Sequence, residues 1–320
     1  MLLVWVAMLV AVPPTDAEAL FSPESFRNTP LPPDAPLDVL SGSYVNDLAG
    51  KVEGHGAHVN HGAYSTPVYT VTPRHKPRQV FVTDPGHRDC SNGSPCLVEQ
   101  WKRVPLPKYP VPAPGTDGWM VVYQPTTDTM WEFWQFRMER GQPYASFGGR
   151  LENVSANPGY YTSTPGTGFG ASATSIPLLA GLQRIDELRA GSIDHVVSFA
   201  MRDPQRGFRW PAQRGDGRSG AVTAAPEGTC FRLPPSLDLN SLGLTPYGLT
   251  LARAVQRYGM VMSDSTSVGA AFFAETPRKG SDPYSGPTGI FGGLQDNDGP
   301  QGVLRGFPWR SLQALAPGVC

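Results

Sequence analysis

The sequence predicts a mainly β protein, an antiparallel β-sandwich or jelly-roll-like single domain with one packing α-helix at about residues 246–258. Three observations lead there. Gly (36) and Pro (34) together exceed a fifth of the 320 residues, which shortens elements and multiplies turns. Hydrophobic residues make up 40% of the chain and include 7 Trp, 14 Phe and 11 Tyr, so there is apolar surface enough for a packed core and the Gly and Pro excess does not read as disorder. Short β-branched and aromatic runs recur between turn residues, whereas a capped helical pattern stands out once.

Residues 1–12 are all apolar and are followed by Pro13, Pro14 and the triplet Ala17-Glu18-Ala19, a small-x-small match to signal peptidase preference. This predicts a secretory signal peptide over residues 1–19, cut after Ala19. A membrane span needs about twenty apolar residues, and proline interrupts this run well before that. The expected product is therefore secreted and extracellular, with no stable membrane anchor after cleavage. Residues 20–50, rich in Pro, Ser and Asp, predict an extended N-terminal arm without regular structure, laid over a single β-rich domain spanning 51–320.

Within that domain residues 66–71 and 79–83 read as strands bounded by turns. A proline-rich crossing at 104–114 leads to the clearest hairpin, with strands at 118–123 and 129–138. Alternation puts Met130, Glu132, Trp134 and Phe136 on one face of the second strand and Trp131, Phe133, Gln135 and Arg137 on the other. Residues 148–154 read as a further strand, and the Pro-, Gly- and Tyr-rich stretch 157–170 as a loop suited to wall a site. Residues 185–190 are helix-like, and strand character resumes at 193–201 with Ile193, His195, Val197 and Phe199 sharing one face. Thr245 as N-cap, Pro246 at the first helical position and Gly259 as terminator frame the one expected helix. Strands at 261–263 and 269–275 follow, and Phe307-Pro308-Trp309 is placed to plug the core.

Four cysteines in an exported chain are expected to be bridged. Cys90 and Cys96 enclose a turn-forming stretch, Ser91-Asn92-Gly93-Ser94-Pro95, which predicts their pairing and leaves Cys230 with Cys320 to tie down the C-terminus. The balance of 26 basic against 27 acidic residues, net charge -1, argues against a nucleic-acid partner. His55, His58 and His61 recur every third residue, but the intervening glycines oppose a helix and no distant companion ligand is apparent, so neither a metal nor a cofactor is expected.

The chemistry-bearing candidates gather on the β segments. Glu132, in line with large apolar side chains, is expensive to bury unless paired, solvated in a cleft, or functional. Aromatic walls beside a carboxylate suit sugar rings, whose apolar C–H faces stack on Trp and Tyr while a carboxylic acid protonates the glycosidic oxygen. The bland alternative is an edge-strand Glu132 paired with Arg137 or Arg150. His195, inward by alternation, serves either as general base or as a core histidine satisfied by a carbonyl. Asp117 either orients a sugar hydroxyl or caps the hairpin entry. Trp210-Pro211-Ala212-Gln213-Arg214 presents an indole beside a guanidinium, a platform for a glycan, or else a tryptophan buried for packing. No Gly-x-Ser-x-Gly elbow, phosphate loop or dinucleotide fingerprint occurs in the sequence.

The runs Tyr64-Ser65-Thr66-Pro67-Val68-Tyr69, Thr116-Asp117-Gly118-Trp119-Met120-Val121-Val122, Trp131-Glu132-Phe133-Trp134, Ala173-Thr174-Ser175-Ile176-Pro177-Leu178-Leu179, Ile193-Asp194-His195 and Trp210-Pro211-Ala212 resemble a family of exported bacterial β-rich proteins that carries no established activity. The resemblance covers most of residues 25–275. It implies one β-rich domain and groups Asp117, Glu132, His195 and Trp210 as recurring positions.

These observations together predict an exported carbohydrate-active protein that acts on a glycan or cell-envelope polysaccharide. As a glycoside hydrolase it would use Glu132 as acid or nucleophile, assisted by His195 or Asp117. Trp131, Trp134, Trp210 and Tyr161 would supply sugar contacts. As a polysaccharide lyase it would use His195 as base and Arg214 to neutralise a uronate. The alternative is a noncatalytic glycan-binding or cell-envelope-associated module.

Overall fold

The computed structural model describes residues 20–88, 96–161, 169–278 and 280–320. The expected signal peptide, Cys90 with its turn, and the middle of the expected site-wall loop lie outside the described residues. The hairpin forms where the pattern places it, with strands Met120–Gln124 and Thr129–Trp134 joined through a short turn at Pro125–Thr127 and a left-handed Asp128. Thr129–Trp134 pairs antiparallel on both sides, with Met120–Gln124 and with Phe147–Glu152. Val68–Thr70 adds in parallel outside Met120–Gln124, completing a four-stranded sheet.

A six-stranded sheet runs in the spatial order Ala57–Asn60, Ala270–Phe273, Val197–Arg202, Met260–Thr266, Cys230–Arg232, Gln313–Ala314. Its first pair and its central pair, Val197–Arg202 with Met260–Thr266, are parallel, and the others antiparallel. The expectation of an antiparallel sandwich is thus corrected to mixed sheets. Parallel neighbours need long crossovers, and the sequence between Val197–Arg202 and Met260–Thr266 includes the helix Pro246–Arg257 that makes one. A small three-stranded sheet, Phe81–Val82, Gln142–Ala145 and Arg137–Glu139, lies apart.

Three apolar cores stack these layers. The first lies on one face of the six-stranded sheet, where Val197, Phe199, Met262 and Phe272 meet two helices. The second lies between the other face and the four-stranded sheet, where Val196, Ala200 and Phe273 meet Val121, Met130 and Trp119. The third lies behind the four-stranded sheet, around Trp101, Trp131 and Phe133. The strand Thr129–Trp134 therefore alternates between the second and third cores as its period-2 pattern requires. Phe136 departs from the expected face, because Gln135 adopts a left-handed φ of 55° and turns the chain over.

Helix Pro246–Arg257 forms with Thr245 as its cap, the hydroxyl accepting from the Gly248 N–H at 2.9 Å. A further long helix, Ser41–His55, corrects the expectation of a single packing helix and shortens the irregular arm to about residues 20–40, and short helices form at Leu97–Gln100 and, as expected, at Ile185–Ala190. Its buried Tyr44, Val45, Leu48, Ala49 and Val52 make one helical stripe, yet its glycines and uncapped N-terminus give it little intrinsic propensity. Packing decides it. The arm before it is held by Arg232 donating to the carbonyls of Pro32 and Pro33 and by the Arg209–Asp38 ion pair at 2.6 Å.

Cys230 and Cys320 form a disulfide with Cα atoms 6.4 Å apart, closing the C-terminus onto the six-stranded sheet. Cys96 is also disulfide-bonded. No helix among the described residues is long and apolar enough to cross a membrane. The Cys230–Cys320 bridge spans 90 residues, so its removal releases a long loop in the unfolded chain. A Cys320→Ser variant is expected to lose about 2–4 kcal/mol in denaturant unfolding while keeping its far-ultraviolet circular dichroism. An unchanged transition midpoint would show that the strand Gln313–Ala314 alone holds the tail.

Candidate functional site

The segment from Gly170 to Leu178 passes through the interior between the two larger sheets, where its backbone polar groups need protein partners. Two side chains from outside the segment, Glu132 and Arg214, supply several of them. Glu132, 0% exposed, accepts the Ala171 N–H at 2.7 Å and the Leu178 N–H at 2.8 Å. Arg214 donates to the carbonyls of Gly170, Ser172 and Ala173 at 2.9, 2.7 and 3.0 Å, and its guanidinium lies 4.5 Å from the centre of the Phe147 ring. Thr174 donates its hydroxyl to the Ser263 carbonyl at 2.9 Å. Opposite Glu132 in the sheet stands Gly149, where an added Cβ would meet the Tyr161 ring at 2.7 Å, so only glycine leaves room for the phenol. Burial pushes the Glu132 carboxyl up to about 7 against the pull of its two amide donors, of Tyr161 and of Arg214. Burial first, and the Glu132 charge second, push the Tyr161 phenol well above its ordinary range.

Above this strap a cavity of about 430 Å³ opens at the seam of the two sheets, lined on one side by Asp117 and Trp119 and on the other by His58, Asn60, Asp264 and Phe273. Tyr64 and residues 265–268 form its remaining walls. Asp264 reaches it through an irregularity in the strand Met260–Thr266: Met262 pairs with Phe199 and Asp264 with Ala200, so Ser263 is an extra residue. The bulge re-aims the next side chain. The displaced Ser263 carbonyl is the one that Thr174 satisfies. Asp264 accepts the Ser265 N–H at 2.8 Å and the Ala173 N–H at 3.3 Å.

Asp117 is placed by the turn into the hairpin, where its carbonyl accepts the Gln135 N–H at 2.6 Å. Its carboxylate receives the Trp134 indole N–H at 3.4 Å. Tyr64 is held at a left-handed φ of 55°, uncommon for a bulky residue, by its N–H to the Pro114 carbonyl and by Asn60 donating to its own carbonyl at 3.1 Å. Its ring covers Gly115, where a Cβ would come within 2.8 Å. Trp119 and Phe273 meet edge to face, centroids 5.5 Å apart.

The two carboxyl groups of the cavity share a direction of shift. Burial, then the charge of Asp216, push Asp264 up to about 7, the amides of Ala173 and Ser265 pulling the other way. Burial raises Asp117, partly offset by the Trp134 N–H. Behind Asp264, Glu227 accepts the Asp216 N–H at 2.7 Å while its second oxygen has no hydrogen-bond partner among the described residues. Burial and the charges of Asp216 and Asp264 raise its proton affinity.

Of the residues expected to act, only Asp117 lines this cavity. Glu132 pairs neither with Arg137, which meets Glu139, nor with Arg150, which meets Glu152. It is buried in the strap, which removes it from contact with a ligand. His195, 1% exposed, places Nδ1 2.6 Å from the Val196 carbonyl and Nε2 3.1 Å from Glu187, so both ring nitrogens are engaged. Burial opposes ionisation of Glu187, but the charge and hydrogen bond of His195, with Arg27, hold it down to about 2. Trp131 is buried in the third core with its indole donating to the Gln100 carbonyl at 3.2 Å, and Tyr161 is buried beside Glu132. Neither offers a face to a sugar. Trp134 holds Asp117, and Arg214 faces the strap. Trp210 is 41% exposed, edge-on to Tyr160 at 4.4 Å.

Asp264 escaped the sequence reading because only the bulge turns it inward, and His58 because a strand, Ala57–Asn60, forms where glycines spoke for a loop. His61 is separate from it, tilted against Tyr284 at 4.6 Å. Among the described residues no group of three or more His, Cys, Asp or Glu is placed to hold a metal ion. No protein-family model, curated protein or solved structure matches the chain.

The buried carboxyls make stability depend on pH in both directions. Glu132 and Asp264, raised to about 7 from 4.5 and 3.8, bind more protons folded than unfolded between those limits, so stability falls as pH rises through that window. Glu187, lowered from 4.5 to about 2, contributes stability that is lost as pH falls across that range. The melting temperature is expected to peak at about pH 4 and decline toward pH 8 in scanning calorimetry. A profile still rising at pH 8 would contradict these assignments. Glu132→Gln, which sets an amide NH2 against one of two buried N–H donors, is expected to cost about 2–4 kcal/mol in denaturant unfolding at pH 7.5.

Proposed function

We propose that this is an exported carbohydrate-active protein whose cavity cleaves glycosidic bonds with Asp264 as general acid and Asp117 as its carboxylate partner. The observation that carries the reading is the pair of carboxyl groups, both with raised proton affinity, in one aromatic-walled cavity. A volume of about 430 Å³ accommodates one or two sugar rings and falls within the usual range of small-molecule sites. Trp119, Phe273 and Tyr64 offer faces and edges for the apolar side of a ring, and Asn60 and Ser265 offer hydroxyl partners.

In this mechanism Asp264, protonated near neutral pH, gives its proton to the glycosidic oxygen as the bond to the anomeric carbon breaks. Asp117, ionised, either adds to the anomeric carbon or takes a proton from attacking water. Trp134 acts as a positioning residue by holding the Asp117 carboxylate, and the strap pinned by Glu132 and Arg214 delivers the Ala173 N–H to Asp264. The substrate is a glycan or cell-envelope polysaccharide, consistent with the export signal read from the sequence and with the Cys230–Cys320 bridge. We read the two facing sheets as a sandwich-like scaffold that carries the site on its seam.

An Asp264→Asn variant is expected to lose at least a hundredfold in release of new reducing ends from a polysaccharide panel. Its melting temperature at pH 8 should match or exceed that of the parent, because a buried group that resists ionisation has been made neutral. Parent cleavage should decline above about pH 7 as Asp264 ionises. If the parent binds a glycan and releases no ends, the protein is a binding module. If Asp264→Asn retains full activity, the assignment of the acid is wrong.

A further inference from the structure

We propose that the cavity selects a glycan unit bearing a free ammonium group, an amino sugar, over neutral or uronate sugars. The inference rests on the carbohydrate reading above and adds the charge of the substrate. Among its described lining residues the cavity carries two carboxyls, Asp117 and Asp264, and the imidazole of His58, but no Lys or Arg. Its walls include the aromatic rings of Tyr64, Trp119 and Phe273, and such rings attract a cation placed over a face.

The surrounding charges reinforce the sign. Asp216 accepts the Ser265 hydroxyl at 3.2 Å directly behind the wall, and the Glu227 carboxyl is tied to the Asp216 and Gly217 amides. The nearby cations are turned elsewhere. Arg214 donates to the carbonyls of the strap, and Arg202 at the rim donates to the Ser267 carbonyl and meets Asp203 at 3.4 Å. A uronate placed here would face two carboxyls without a counter-ion, which reverses the expectation that Arg214 would neutralise one. An ammonium would do the opposite: it supplies the missing counter-charge to the ionised Asp117, while Asp264 keeps the proton that cleavage needs.

Calorimetric titration at pH 6 with glucosamine oligomers, their N-acetylated counterparts, galacturonate oligomers and tetramethylammonium tests this. The glucosamine oligomer is expected to bind at least tenfold tighter than the N-acetylated one. Asp117→Asn should remove most of that preference. Equal binding of glucosamine and N-acetylated oligomers overturns the inference and leaves the carbohydrate reading intact. Preference for galacturonate overturns it as well. Binding of tetramethylammonium with no sugar bound retains the cation site but overturns both the amino-sugar proposal and the carbohydrate reading, and binding of none of the four overturns both too.

Discussion

The interaction on which the rest depends is the clamp of opposite charge on the segment 170–178. A loop threaded between two sheets carries N–H and C=O groups that no ladder pairs, and leaving them unmet costs about 1–3 kcal/mol each. Glu132 takes N–H groups from both ends of the segment, and Arg214 takes carbonyls along it. Neither side chain could do this alone, since a carboxylate only accepts and a guanidinium only donates. Their mutual attraction also lowers the penalty each incurs for leaving water, as the opposed effects on their proton affinities record. This pairing lets the four-stranded sheet, the strap and the six-stranded sheet form one continuous interior.

The cavity inherits its geometry from that clamp. Ala173, fixed by Arg214 through its carbonyl, donates its N–H to Asp264, while Thr174 donates its hydroxyl to the displaced Ser263 carbonyl. The bulge at Ser263 is thus stabilised by the same segment that Glu132 anchors. Strain is concentrated at the rim, where Tyr64 and Gln135 both occupy left-handed backbone conformations beside Asn60 and Asp117. Such positions persist only where neighbours over-determine them, here through hydrogen bonds to Pro114, Asn60 and Asp117. A rigid floor and a strained rim together hold two acidic side chains at a seam that packing alone would close.

Local rules were the legible part of the sequence. The alternation along Thr129–Trp134, the Thr245 cap and the burial of Phe307 and Trp309 all follow from residue type and spacing. The placement of Glu132 among apolar side chains was legible too, although its role was not. A carboxylate aligned with Met130 and Trp134 has the same pattern whether it meets a ligand or two amides forty residues away. What the pattern could not carry was nonlocal. Helix Ser41–His55 exists because five side chains find a core, not because Gly42, Gly50 and Gly54 favour a helix. The parallel pairing of Val197–Arg202 with Met260–Thr266, and the single-residue slip within it, depend on a partner sixty residues distant. Asp264 follows from that slip, so no spacing in its own strand could have nominated it.

Glu132, Glu187 and Asp264 show why proton affinity alone does not identify a catalytic group here. Glu187 is partly buried yet held strongly acidic, because His195 and Arg27 stand close enough for attraction to exceed desolvation. Glu132 and Asp264 are both raised to about 7, because amide donors only partly offset their burial. Between these two, the distinction is access. Glu132 has no exposed surface and spends both oxygens on the strap, whereas Asp264 lines an open cavity with a second carboxyl of the same tendency. A proton held near neutrality can be used only where a substrate oxygen can approach it. By that criterion the chemistry we propose belongs at the seam, and the carboxylate first visible in the sequence is the support that holds the seam in place.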